Sequence, residues 1–170
     1  MGSTQKKAIL RMHDGNWLPG YLPAAGFLRQ GAVELLDLSA RRQSVALASL
    51  KWACFVRDFS SGDPTNPERL LRTTFAGRPR LAGVWLRMTL TDDSILEGVA
   101  ANDLSLLEPA GLLLTPPDTR SNTQRIFLPR ASLRELTLVA VIGAPAAKPS
   151  RKPPMREQAD LFPISAPKAL

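Results

Sequence analysis

Leu10-Arg11-Met12, near the start of the chain, returns as Leu86-Arg87-Met88, and each copy runs on into a polar turn and then an apolar segment with an internal glycine. The turns are Asp14-Gly15-Asn16 and Thr91-Asp92-Asp93-Ser94, and the glycines are Gly20 and Gly98. Further on, Ala48-Ser49-Leu50-Lys51 matches Ala131-Ser132-Leu133-Arg134. Leucine to glycine is ten residues in one copy and twelve in the other, and glycine to the later leucine is thirty and thirty-five, so short loop insertions reconcile the two. A chain that carries one supersecondary unit twice is confined to folds that set two like units side by side.

Each unit reads as five short strands. Alternation, β-branched or aromatic residues and turn punctuation place them near 7–13, 17–22, 32–38, 44–48 and 52–58, then 83–90, 95–101, 111–115, 124–129 and 134–142. Between the units, Ser60 to Pro67 reads as a loop. Residues 68–75 read either as a short helix capped by Asn66 with Pro67 at its first position or, preferred here, as a strand-like connector. The expected fold is therefore all-β, with one small unit over 1–59, a connector over 60–82, a second unit over 83–143 and a tail over 144–170.

The bent strands, the Asp14-Gly15 turn, the internal Gly20 and the short turn into a last strand resemble the Sm-like and SH3-type small barrels. That resemblance implies two tandem five-stranded barrels. The initial helix and the RNA-binding loop residues of true Sm proteins have no counterpart here, so RNA binding does not follow from it. Through Phe55-Val56-Arg57-Asp58-Phe59 the chain is also similar to an uncharacterised bacterial family of tandem barrels.

Catalytic chemistry finds little to work with. Cys54 is the one cysteine and sits in the apolar run Trp52-Ala53-Cys54-Phe55-Val56, where it reads as a buried small hydrophobe. His13 is the one histidine and flanks the Asp14-Gly15 turn, where it reads as an exposed turn residue. One Cys and one His exclude the common zinc arrangements, and the sequence holds neither a Gly-x-Ser-x-Gly elbow nor a glycine-rich phosphate loop. The expectation is no enzyme, no metal and no cofactor. A cyclic-dinucleotide barrel of the PilZ kind needs Arg-x-x-x-Arg before Asp/Asn-x-Ser-x-x-Gly. Here Asp103-Leu104-Ser105 ends in Glu108, and Arg130 to Arg134 comes after it.

The net charge of +7 divides into 17 Lys and Arg against 13 Asp and Glu over residues 1–143, and five against two in the tail. The body's excess is thin. Arg41 with Arg42 and Arg78 with Arg80 are candidate phosphate contacts for weak nucleic-acid binding, without interleaved aromatics for base stacking.

The tail has six prolines in 27 residues with basic residues between them, a composition that cannot offset ordering entropy and so predicts disorder. Within it stands Gln158-Ala159-Asp160-Leu161-Phe162. These five residues resemble the motif by which bacterial proteins dock on the DNA polymerase sliding clamp: Gln, a small or aliphatic residue, Asp or Ser, Leu, Phe. The resemblance implies that Gln158 hydrogen-bonds at one subsite, Asp160 meets the rim, and Leu161 and Phe162 fill an apolar pocket. Burying that pair is worth roughly 1.5–3 kcal/mol per side chain. The expected function is a cytoplasmic, non-enzymatic bacterial adaptor recruited to the clamp, able to gain avidity as a homo-oligomer. The alternative is a small-barrel module for protein or nucleic acid whose tail is only a linker. No apolar run is long enough for a membrane span.

Overall fold

The alternation of apolar and polar residues becomes eleven strands in the computed structural model, which describes residues 4–59 and 62–143. The first half holds β1 (Gln5–Met12), β2 (Trp17–Pro23), β3 (Leu28–Arg29), β4 (Ala32–Asp37), β5 (Arg42–Ala46) and β6 (Leu50–Val56). The second holds β7 (Gly83–Leu90), β8 (Ile95–Ala100), β9 (Gly111–Thr115), β10 (Thr123–Pro129) and β11 (Leu133–Ile142). All pairings are antiparallel, in one sheet ordered β11-β7-β8-β9-β10-β6-β1-β2-β4-β3, with β5 also paired to β4. The two-residue β3 has no counterpart in the sequence reading. Residues 68–75 are neither strand nor helix but an irregular strap. The tail residues 144–170 lie outside the described residues.

The sheet does not close into the expected barrels. Among the described residues no ladder joins β5 to β6 or β10 to β11. In each half a 3-10 turn, Leu47–Ser49 or Arg130–Ser132, carries the chain away from the fourth strand before the fifth begins. The free edge of β10 pairs instead with β6, Phe127 opposite Ala53 and Ile126 opposite Cys54, which fuses the halves into one sheet.

Within each half the strands pair in the same order, last-first-second-third-fourth: β6-β1-β2-β4-β5 and β11-β7-β8-β9-β10. The turns repeat bond for bond. Met12 N–H donates to Asn16 O at 2.8 Å and Leu90 N–H to Ser94 O at 2.9 Å, while His13 N–H donates to Ser49 O and Thr91 N–H to Ser132 O. Asp14 and Asp92 cap the two turns by accepting from Asn16 N–H and Ser94 N–H. In that frame Ala8 stands opposite Gly20 and Leu86 opposite Gly98, so no insertion separates the glycines. Leu10-Arg11-Met12 matches Met88-Thr89-Leu90, and the identical Leu86-Arg87-Met88 stands two residues out of register. A shift of two keeps every side chain on its face, so an alignment of the halves by identity alone stands two residues off the correspondence of their turns and ladders.

Two apolar clusters form the core. One gathers Leu22, Val33, Leu35 and Val45 with Ala53, Phe55 and the second half's Phe127. The other gathers Leu86, Met88, Leu96 and Leu112 with Ile126 and the first half's Ile9, Trp52 and Cys54. Alternate residues of a strand point to opposite faces, so β6 and β10 each feed both clusters.

Gly20 lies where β4 pairs closely with β2: a Cβ there would stand 2.5 Å from Leu36 O and 2.7 Å from the Leu35 side chain. Backbone cannot yield as a flexible side chain can. Gly20→Ala is expected to lower unfolding stability by about 1–3 kcal/mol, the usual cost of forced overpacking, whereas Gly77→Ala, which meets nothing within 4 Å, leaves it unchanged. Urea denaturation of the two variants checks this.

Candidate functional site

Two carboxylates are buried in the described residues, Glu68 at 2% and Glu97 at 1% exposure, and each is bound by an arginine and an indole. A carboxylate taken out of water must be paired and hydrogen-bonded to remain charged. Glu68, on the strap, receives Arg11 Nε at 3.0 Å and Nη2 at 2.6 Å in a two-pronged contact, and Trp52 Nε1 at 3.1 Å. Arg11 also donates to the carbonyls of Gly15 and Thr65, and Thr123 Oγ1 donates to the Glu68 carbonyl at 2.5 Å.

Glu97, on β8, repeats the chemistry. Arg87 Nε reaches its Oε1 at 2.7 Å, Trp85 Nε1 its Oε2 at 3.3 Å, and Phe75 N–H, at the far end of the strap, its Oε2 at 2.8 Å. Glu97 N–H donates in turn to Thr73 O. The two Arg–Glu–Trp sets thus hold the strap at both ends.

Between strap and sheet lies a groove of about 350 Å³ bordered by Arg11, His13, Lys51, Trp52, Asn66 and Asp92. Lys51 Nζ stands 4.6 Å from the Trp52 ring centroid and 2.5 Å from Asp92 Oδ2, which ties β6 to the β7–β8 turn. Burial raises the Asp92 carboxyl, but the hydrogen bonds from Lys51 and Ser94 outweigh it and bring the pKa to about 2. His13 Nε2 lies 3.4 Å from Ser132 Oγ, whose proton goes to Leu50 O. An anion entering this groove competes with Glu68 for Arg11 and with Asp92 for Lys51. Arg11 and Trp52 serve first to lock strap to sheet, and Lys51 to lock β6 to the β7–β8 turn.

Residues 4–140 match the family described as "Family of unknown function (DUF6982)". The chain belongs to that family. Among curated proteins and solved structures none matches it. The span matched to DUF6982 takes in both Arg–Glu–Trp sets and stops before Gln158.

Of the residues singled out in the sequence, Arg41 is exposed at the β4–β5 turn, its Nε 3.5 Å from Asp37 Oδ2. Arg41 N–H and then Gln43 are the main donors that hold the Asp37 carboxyl below its ordinary range. Arg42 opens β5 and borders a groove of about 330 Å³ with Tyr21, Arg29 and Glu34. Arg78 and Arg80 are exposed in the connector, Arg80 beside a groove of about 320 Å³ with Phe75, Leu81 and Thr115. The grooves at Arg42 and Arg80 share no residue. Gln158, Asp160, Leu161 and Phe162 lie outside the described residues. Cys54 is buried, and burial foremost, then the Glu68 charge, pushes its thiol well up.

Sequence reading passed over Glu68, Glu97, Trp52 and Trp85. Glu97 carried a signal, a lone acid within Ile95-Leu96-Glu97-Gly98-Val99-Ala100. Glu68 carried none, since Arg11 is 57 residues away along the chain.

Removing one partner of a buried ion pair strands the other. Arg11→Met is expected to cost about 3–5 kcal/mol in urea denaturation, and Arg87→Met, whose arginine is half exposed, about 1–2 kcal/mol, since Glu97 keeps its other donors and water reaches the site. Because Asp92 titrates lower in the folded chain than its ordinary 3.8, its stabilisation is whole above that value and is lost as pH falls through about 2. The stability difference between the native chain and Asp92→Asn is therefore expected to be constant at neutral pH and to shrink from pH 4 to pH 2, as followed by thermal melts.

Proposed function

We propose that this protein is a non-enzymatic cytoplasmic adaptor of bacteria whose C-terminal peptide docks on the DNA polymerase sliding clamp. The observation that carries the reading is Gln158-Ala159-Asp160-Leu161-Phe162, which meets the docking motif at every position. Leu161 and Phe162 are the anchors, Gln158 supplies the hydrogen bond, and Asp160 meets the rim. The body's part is to be a rigid carrier. Its buried acids are spent on holding the strap, and its one thiol is buried.

Two further elements belong to this proposal. The halves are copies of one Sm-like or SH3-type unit, a reading supported by their common pairing order and matching turn bonds. Arg41, Arg42, Arg78 and Arg80 are surface charges able to make weak phosphate contacts near a clamp-bound duplex, not a sequence-reading site.

Titration of the full chain into a bacterial sliding clamp is expected to give a Kd of roughly 1–50 µM per peptide site, or about −6 to −8 kcal/mol. Replacing Leu161 and Phe162 together by Ala abolishes binding, and Gln158→Ala weakens it about tenfold, because anchors dominate small interfaces. No heat at about 100 µM clamp, above that range, together with no competition against a known clamp ligand, overturns the reading.

A further inference from the structure

β11 is the last strand of the sheet at one end, and its outer edge meets no other strand among the described residues. Sheets usually defend such an edge with charge, proline or brevity. The other end does so: β3 has two residues, and β5 is five residues long and opens with Arg42. β11 does not. It is ten residues long, and from Leu136 to Ile142 it carries no charge and no proline.

Its side chains also leave the core unfinished. Leu136 stands opposite Met88, Leu138 opposite Leu86 and Val141 opposite Val84, three residues buried in the second cluster. Directly opposed residues of an antiparallel pair share a face, so these side chains lie on the core side, yet they are 41, 57 and 54% exposed. Val139, at the register shift between Leu138 and Ala140, is 37% exposed. The apolar layer stops one strand short.

We infer that a second copy of this chain covers this edge, β11 pairing antiparallel with β11 of the partner about a two-fold axis. The segment can meet its own copy: residues 136–142 are all apolar or neutral, so setting them antiparallel against themselves opposes no like charges. The four exposed side chains leave roughly 300 Å² of apolar surface per copy, the scale of the largest patch on an ordinary monomer. Two such patches with the paired backbones approach the roughly 1,000 Å² a specific interface needs. Isologous pairing of one edge with itself closes at two copies and leaves outermost only the short β3 and the Arg42-headed β5.

The test is the mass of the full chain by sedimentation across a dilution series, with amide exchange over residues 134–142. A dimer with a Kd below about 10 µM is expected, with protection of the β11 amides that falls on dilution. Leu138→Lys with Val141→Lys, both at exposed positions, should weaken it at least about tenfold by burying like charges while the circular dichroism spectrum stays unchanged. Ser44→Lys on β5 should leave the mass as it was. A monomer at about 100 µM, a dimer indifferent to the β11 lysines, or amide protection independent of concentration overturns the inference, the last by assigning the edge to a segment of the same chain.

Discussion

Pairing of β6 with β10 is the contact on which the rest depends. It joins the fifth strand of one half to the fourth of the other, and it buries β6 on both faces. Trp52, Cys54 and Val56 project into one cluster while Ala53 and Phe55 project into the other. Each half's core is therefore incomplete without a strand of its neighbour. At roughly 1.5–3 kcal/mol per buried apolar side chain, the residues that cross over, Phe127 in one direction and Ile9, Trp52, Cys54 and Val56 in the other, outweigh anything the surface ion pairs supply. The same contact explains the open sheet: with β10 engaged by β6, its edge is not available to close the second half on itself.

The strap is held by a different kind of force. Arg11–Glu68 and Arg87–Glu97 take charges out of water, and a buried ion pair gains little net stability over a well-packed apolar substitute. Their effect is directional. A two-pronged guanidinium contact accepts one geometry, and here it selects a single path for a segment with no ladder of its own. Trp52 serves both layers, its ring in the core cluster and its N–H on Glu68. A change at Trp52 thus reaches strap and core together, and the groove between them is only as rigid as that indole.

The local features of the fold were legible in the sequence and the global ones were not. Ten of the eleven strands stand within about two residues of where alternation and turn residues put them, because side chains with a period of two and Asp-capped turns are decided locally. Gly20 and Gly98 were matched as the internal glycines of like strands despite unequal spacing, and each stands at the same ladder position relative to its turn. Closure was misread because it depends on which edge β10 meets, a contact some 70 residues distant in the chain that no local pattern encodes. The identity of Leu10-Arg11-Met12 with Leu86-Arg87-Met88 misled by two residues, since a period of two hides such a slip. The strap's polar locks were missed for the reason closure was: Arg11 and Glu68 are ordinary surface residues by sequence, and only the fold makes them a buried pair.

The open edge of β11 bears on how the body presents its peptide. Ile142 is buried opposite Gly83 and Gly143 is exposed, so the described chain leaves the sheet at the C-terminal end of its edge strand. In an antiparallel pair of β11 strands the two departures lie at opposite ends of the ribbon, about 20 Å apart for seven paired residues at roughly 3.3 Å each. Some 15 residues then separate Gly143 from Gln158, a reach of up to about 50 Å when extended. On the proposed dimer, two peptides so tethered would raise each other's effective concentration at the proposed partner, a ring with equivalent pockets. On that reading, a motif expected to bind a single site at only micromolar Kd would become a strong attachment through the geometry of the edge that carries it, without any further contact by the peptide.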